Sequence, residues 1–166
     1  MQRATQIHLS DVQAVYSGPE RQLWELLMGE QIHLGGLQSS LDLAERAGLQ
    51  AGQTGIDLCC ATGAGMRFLL RLRKVAQMTG VDATSAMITL GRQRSHEQGL
   101  GERITFVEAD VCTTGLPSGQ ADFVWGEDAW CYVEEKPKIL EEMRFLGALA
   151  KAGKILQGII VAQKAP

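Results

Sequence analysis

The sequence has no long basic run, no apolar run of about 18 residues and no Cys-x-x-Cys pair, and each absence removes a class of function. Without basic runs, and with a net charge of −3, nucleic acid is not an expected partner. The densest basic cluster, Arg71-Leu72-Arg73-Lys74, reads as a solvated helix end. Without a long apolar run or a signal-peptide core near the N-terminus, no membrane span is expected, and the protein is placed in the cytoplasm. The four cysteines then read as reduced thiols. The three histidines, at 8, 33 and 96, are too scattered for zinc spacing, so no metal site is expected. Aromatic residues are only 5% of the chain. A Walker A lysine is missing from "ATGAGMR", which argues against triphosphate chemistry, and G-x-G-x-x-G is missing too, which argues against a nicotinamide cofactor.

What is present is an ordinary globular composition, 45% apolar and 21% charged over 166 residues, enough for one domain. Two textures follow one another. Residues 1–50 read as helical. Ser17 to Glu20 has capping-box spacing with proline in the first turn, and Leu23, Trp24, Leu26 and Leu27 fall on one helical face. Ser39 to Asp42 repeats the capping spacing, with Gly48 as a helix stop.

From residue 51 onward, short strands alternate with helices. "TGIDLCC", "AQMTGVDA", "RITFVEADV", the start of "ADFVWGEDAWCYV" and "AKAGKILQGIIVA" read as five strands. "MRFLLRLRKV", "SAMITLGRQRSHEQGL" and the segment opening at Pro137 read as helices; in the last, Ile139, Leu140, Met143, Leu146 and Leu149 recur at helical spacing. Alternation with short links implies an α/β fold, a doubly wound, mostly parallel sheet of about five strands flanked by helices. In such sheets ligands bind beyond the carboxyl ends of the strands.

The strand ends carry the informative residues. Asp57 is followed by Cys59, Ala61 and Gly63, a small-residue turn that lets backbone approach a ligand, with a helix beginning near Ala64. A tight turn with no ligand is the competing reading. Asp82 can accept from two ribose hydroxyls, or cap the following helix. Asp110 and Val111 follow the third strand and suit an adenine, or a loop that caps itself. Glu127, Asp128 and Trp130 follow the fourth, where a solvated turn is the alternative. Taken together, the four ends suit a nucleoside-containing cofactor.

These segments resemble the class I S-adenosylmethionine-dependent methyltransferases. The resemblance rests on "GIDLCCATGAGMRFL", "MTGVDATSAMI", "ITFVEADV", "LPSGQADFVWGEDAWCYVEEKPKILEEM" and "LAKAGKILQGIIV", in that order. The lead-in "YSGPERQLWELLMGEQIHLGG" is similar to the N-terminal cap of the small-molecule branch, near the glycine, sarcosine and dimethylglycine N-methyltransferases. The resemblance implies a Rossmann-like domain over 51–166 and a helical cap over 1–50. It implies S-adenosyl-L-methionine as cofactor, S-adenosyl-L-homocysteine as product and a small-molecule methyl acceptor, such as an amine. It places Asp57, Cys59, Ala61 and Gly63 at the methionine moiety. Asp82 and Ala83 then lie at the ribose, with Met87 near ribose or adenine and Asp110 and Val111 at the adenine. Glu127 borders the methyl group with Asp128 and Trp130, and Tyr16, Trp24 and His33 are cap positions facing cofactor or acceptor.

No catalytic base is assigned. Tyr16, Tyr132, Trp24 and Trp125 also read as structural or core residues, His33 as a hinge or hydrogen-bonding residue, and the cysteine pair as packing. The chain departs from the family where Cys59 and Ala61 replace glycines and where "LAKAGK" replaces Leu-Lys-Pro-Gly-Gly. The resemblance stops short of the family's sixth and seventh strands. That supports two alternatives, a non-catalytic cofactor-binding module and an interaction protein in which a second copy covers the sheet edge as a homodimer.

Overall fold

A computed structural model of the protein describes residues 7–31, 33–146, 155–156 and 159–160. Three helices precede the sheet: α1 (Leu9–Ser17), α2 (Glu20–Met28) and α3 (Gly36–Arg46). Strands and helices then alternate as β1 (Thr54–Leu58), α4 (Ala64–Leu72), β2 (Gln77–Asp82), α5 (Ser85–Glu97), β3 (Ile104–Glu108) and β4 (Phe123–Trp125). A single 3-10 turn (Trp130–Tyr132) and α6 (Lys136–Phe145) follow. Among the described residues no helix is long and apolar enough to cross a membrane.

The sheet order is β3-β2-β1-β4, and all three pairings are parallel. The chain winds outward from β1 through β2 to β3, then returns to the other side of β1 to form β4. That reversal between β1 and β4 is a topological switch point, where an open α/β sheet forms a crevice at its carboxyl edge. Both faces are covered, which is why the strands read as nearly continuous apolar runs. Met78, Ile104, Phe106 and Phe123 share one core with Leu43 of α3, Leu69 of α4 and Ile88 of α5. Ile56, Leu58, Val81 and Val124 share the other with Ile139 and Met143 of α6. Alternation along β1 sends Ile56 and Leu58 to the α6 side, leaving Gly55 and Asp57 on the α4 side. A β-carbon at Gly55 would lie 2.3 Å from the Phe123 ring and 2.7 Å from Met78 Sδ, so glycine lets these two side chains of the neighbouring strands pack over β1.

Several expectations need correction. Among the described residues the main sheet has four strands, and the expected fifth parallel strand is not one of them. Ile155–Leu156 and Ile159–Ile160 instead form β5 and β6, a separate antiparallel pair of two-residue strands. Leu149 lies outside the described residues. Neither capping box forms: Ser17 is the last residue of α1, Pro19 precedes α2, and Ser39 and Asp42 sit inside α3, which starts after Gly35 in a left-handed conformation. The core reading of Trp24 does not hold. Leu23, Trp24, Leu26 and Leu27 are all exposed. The helix docks by its polar side, because Glu25 accepts two hydrogen bonds from the Arg94 guanidinium of α5 at 2.8 and 2.9 Å and pairs with Arg21 on its own helix. That bidentate, partly buried geometry is the strong form of an ion pair.

Candidate functional site

The crevice holds a cavity of about 370 Å³, within the range of small-molecule sites. Its floor is the turn after β1. Cys59 and Cys60 both donate their backbone N–H to the Val81 carbonyl of β2, at 2.8 and 3.1 Å, so the turn is anchored to the neighbouring strand. The Ala61 N–H donates to Asp82 Oδ2 at 2.9 Å, and Asp82 Oδ1 accepts from the Thr84 N–H at 2.8 Å. One carboxylate thus fixes two loops. Each oxygen has a further lone pair, so a ligand hydroxyl can still be accepted. Burial pushes the Asp82 carboxyl above its ordinary value, and the two N–H donors pull it partly back.

The turn is strained. Cys59 and Ala61 have φ of 66° and 45°, in the left-handed region where a β-carbon is unfavourable. Gly63, at φ 74°, ends the turn and starts α4. The unpaired N–H groups of the first turn of α4 point out of the helix end toward the cavity, where Ala64 and Gly65 line the wall. A β-carbon at Gly65 would lie 3.4 Å from Glu127 Oε2 and 3.6 Å from Asp57 Oδ2, so the absent side chain keeps open space in front of two carboxylates.

Those carboxylates give the site its charge. Asp57 is 4% exposed, and among the described residues nothing donates a hydrogen bond to its carboxylate. Burial, then the charges of Glu127 and Asp82, push its carboxyl well above the ordinary range. Glu127 accepts from Ser40 Oγ at 2.8 Å and from Trp125 Nε1 at 3.1 Å. Its carboxyl is raised by burial, an effect opposed by His33 and by those hydrogen bonds. His33 Nε2 lies 3.0 Å from Ser40 Oγ and 3.4 Å from Glu127 Oε1. Asp128, at φ 52°, accepts the Leu34 N–H at 2.8 Å, which holds the segment before α3 against the end of β4.

Side chains of α1 also reach the cavity, where Leu9, Val12 and Tyr16 are among the lining residues. Gln13 Nε2 of α1 donates to the Ala83 carbonyl at 2.7 Å, and His8 Nδ1 meets Glu134 at 2.8 Å. Arg67 of α4, almost fully buried, donates to the Thr62 carbonyl and pairs with Glu30 at 2.8 Å. Tyr16 reaches the wall from α1, and burial, then Tyr132 and Asp82, raise its hydroxyl above the ordinary value.

Of the residues singled out from the sequence, Asp57, Cys59, Ala61, Asp82, Ala83, Met87, Asp110, Val111, Glu127, Tyr16, His33 and Asp128 all line this one cavity. Three do not. Gly63 shapes the turn beneath the wall. Trp24 lies exposed on the outer side of α2. Trp130 packs against the α6-side core, and its indole Nε1 donates to the Leu58 carbonyl at 3.1 Å. Asp110 accepts the Cys112 N–H at 2.8 Å, so its self-capping turn is real as well. Ser40, Gln31, Thr84 and Tyr132 were missed as site residues. Ser40 meets Glu127 across 87 positions, a pairing that no local pattern announces. Burial pushes the Cys59 and Cys60 thiols up, which disfavours the thiolate at both positions. Among the described residues no group of three or more acidic, histidine or cysteine side chains is arranged to hold a metal.

Residues 56–147 match the model of a family described as a methyltransferase domain. Phosphoethanolamine N-methyltransferase 1 of Arabidopsis thaliana is 28% identical over 155 residues, covering 93% of this chain and 30% of that protein. The maize protein of the same name is 26% identical over 152 residues, or 91% and 29%. The chain therefore spans less than a third of the length of these relatives. Among solved structures, Haemonchus contortus phosphoethanolamine N-methyltransferase 2 in complex with S-adenosyl-L-methionine superposes with a TM-score of 0.73 at 23% identity, covering 83% of this chain and 32% of that one. A second structure of that enzyme, with phosphomonomethylethanolamine and S-adenosylhomocysteine, gives 0.72 at 21% identity, covering 83% and 31%. The two superpositions establish the shared fold.

Proposed function

Because the chain belongs to the methyltransferase-domain family, we propose that it binds S-adenosylmethionine in the 370 Å³ cavity and directs methyl transfer to a small-molecule acceptor, an amine. The observation that carries this reading is Asp57, a buried carboxylate with no hydrogen-bond donor among the described residues, facing space that a single β-carbon at Gly65 would fill. Such a group is costly until a cation or donor meets it.

The cavity fits the cofactor at each end. Asp57 and Glu127 offer negative charge beside the turn, suited to a ligand bearing an ammonium and a sulfonium. The first turn of α4 offers N–H groups to a carboxylate. Asp82 keeps free lone pairs for two hydroxyls, and Met87 and Val111 give buried apolar surface for a flat base. When bound, the cofactor supplies an electrophilic methyl group, so the chain's task is to align the acceptor and exclude water. The cap over residues 1–50 supplies Tyr16 from α1 and His33 from the segment before α3 for that, beside the cofactor domain of residues 51–166. Among the described residues β4 is paired on one side only, to β1, which supports a homodimer covering that edge; light scattering showing a monomer at every concentration would remove it.

The activity is tested by incubating the purified chain with methyl-labelled S-adenosylmethionine and a panel of small amines. Label recovered in an amine supports the proposal. Cofactor binding without transfer to any small acceptor would leave a binding module instead.

A further inference from the structure

Resting on the methyl-transfer reading, we infer that the acceptor is an amine without an anionic group, and that this cavity selects against phosphorylated amines. Among the described residues, eight acidic side chains and one imidazole line the cavity, and no lysine or arginine does; Glu30 and Glu135 are paired with Arg67 and Lys138 and Glu134 meets His8, which leaves Asp57, Asp82, Asp110, Glu127 and Asp128 without a lysine or arginine partner. Three basic side chains that contact wall residues are engaged by them. Arg67 is buried against the Thr62 carbonyl and Glu30. Lys138 pairs with Glu135 at 2.7 Å. Lys136 donates to the carbonyls of Trp130, Cys131 and Val133. A phosphate monoester is recognised by arginine or lysine, which supply charge and several donors at once. Among the described residues, none of those groups is available to this cavity.

The acidity is a property of a built site, because Asp57 faces the same cavity buried and, among the described residues, without a donor. One bound S-adenosylmethionine brings a sulfonium, an ammonium and a carboxylate, a net single positive charge against the carboxylates of the wall. The remainder stays negative at the outer part, where Asp128 stands beside Tyr16 and Tyr132. A cationic or neutral amine is favoured there, whereas a phosphate dianion is repelled in a setting that water screens only partly. The relatives named for phosphoethanolamine would then differ from this chain in acceptor charge while sharing the fold.

The test is calorimetry on the full chain. S-adenosylhomocysteine is titrated first, and the saturated protein is then titrated with two matched pairs: ethanolamine against phosphoethanolamine, and N-methylethanolamine against phosphomonomethylethanolamine. The expected result is that the unphosphorylated member of each pair binds at least about tenfold more tightly. In Asp128→Asn, which keeps an acceptor for the Leu34 N–H and tolerates the left-handed backbone, the ratio should narrow at least about threefold. Equal or tighter binding of the phosphorylated members, or no binding of any of the four at millimolar concentration, would overturn the inference while leaving the cofactor reading intact. An unchanged ratio in Asp128→Asn would overturn the electrostatic account of the selection. Failure in the first titration, of S-adenosylhomocysteine itself, would remove the cofactor reading and the inference with it.

Discussion

Replacing Asp57 by asparagine should stabilise the ligand-free protein and weaken its cofactor, two effects of opposite sign from one atom. Asp57 Oδ2 and Glu127 Oε2 lie 3.6 and 3.4 Å from the β-carbon position of Gly65, so they cannot be more than about 7 Å apart. At that limit, and at an effective dielectric of 20, two negative charges repel by at least about 2 kcal/mol. The protein can escape the repulsion by keeping a proton on Asp57, but holding it at pH 7 costs about 1.4 kcal/mol for each pH unit above the unfolded value. Either way the aspartate destabilises the empty site by about 2 kcal/mol or more, and the isosteric amide removes that. For a chain of this length the gain is worth about 4–8 °C in Tm. The same change deletes a charged partner for a cationic ligand, which costs about 1.5–3 kcal/mol of binding. Thermal unfolding with and without S-adenosylmethionine reads both. The variant should melt higher alone and show a smaller ligand-induced shift. A lower Tm alone, or an undiminished shift, would refute the assignment of Asp57 as a carboxylate held ready for a cation.

Three further outcomes follow from the same geometry. Ala61→Gly should raise Tm by about 2 °C, since a non-glycine residue at positive φ costs about 1–2 kcal/mol and the more flexible unfolded chain returns about 0.4–1; adding Cys59→Gly should tighten S-adenosylhomocysteine further, and weaker binding in a calorimetric titration would count against a strained loop. The carboxyls of Asp57, Asp82 and Glu127 are raised in the fold, so the folded state binds more protons than the unfolded one above about pH 4, and the Tm of the ligand-free protein should rise as pH falls from 7 toward about 5. Glu25 and Glu30 are lowered by their arginine partners, so their contribution is present above their unfolded values and is lost as pH falls through the depressed folded values; a Tm that fell steadily from pH 7 downward would contradict the first half of that profile. Exposed Cys131 should react with iodoacetamide well before buried Cys60 and raised Cys59, measured by peptide mass spectrometry; early labelling of Cys59 would show a more open turn.

The sheet was legible because its strands are buried on both faces and end in small or acidic residues, a pattern that survives without any partner in view. Asp82 was legible for the same reason, although its double tie to Ala61 and Thr84 needed the turn to be folded over it. The helix starts were not legible. Ser17 and Ser39 have capping spacing, but serine and an acid three residues apart recur by chance, and here glycine and proline geometry set the ends. The exposure of Trp24 was not legible because the Arg94 partner of Glu25, which ties the polar side of α2 to α5, lies 69 positions away. Ser40 and Arg67 join the site through partners 87 and 37 positions away, distances over which one sequence carries no local signal. Trp130, expected beside the acceptor, donates its indole N–H to a strand carbonyl, a long-range contact that the local sequence does not announce.

Calorimetric titration of S-adenosylhomocysteine into the chain and into Asp82→Ala, each first shown to unfold cooperatively, tests the central claim most directly. The account predicts saturable one-site binding to the native chain and a loss of about 1.5–3 kcal/mol in the variant. No binding to the native chain, or equal affinity in both, would contradict it.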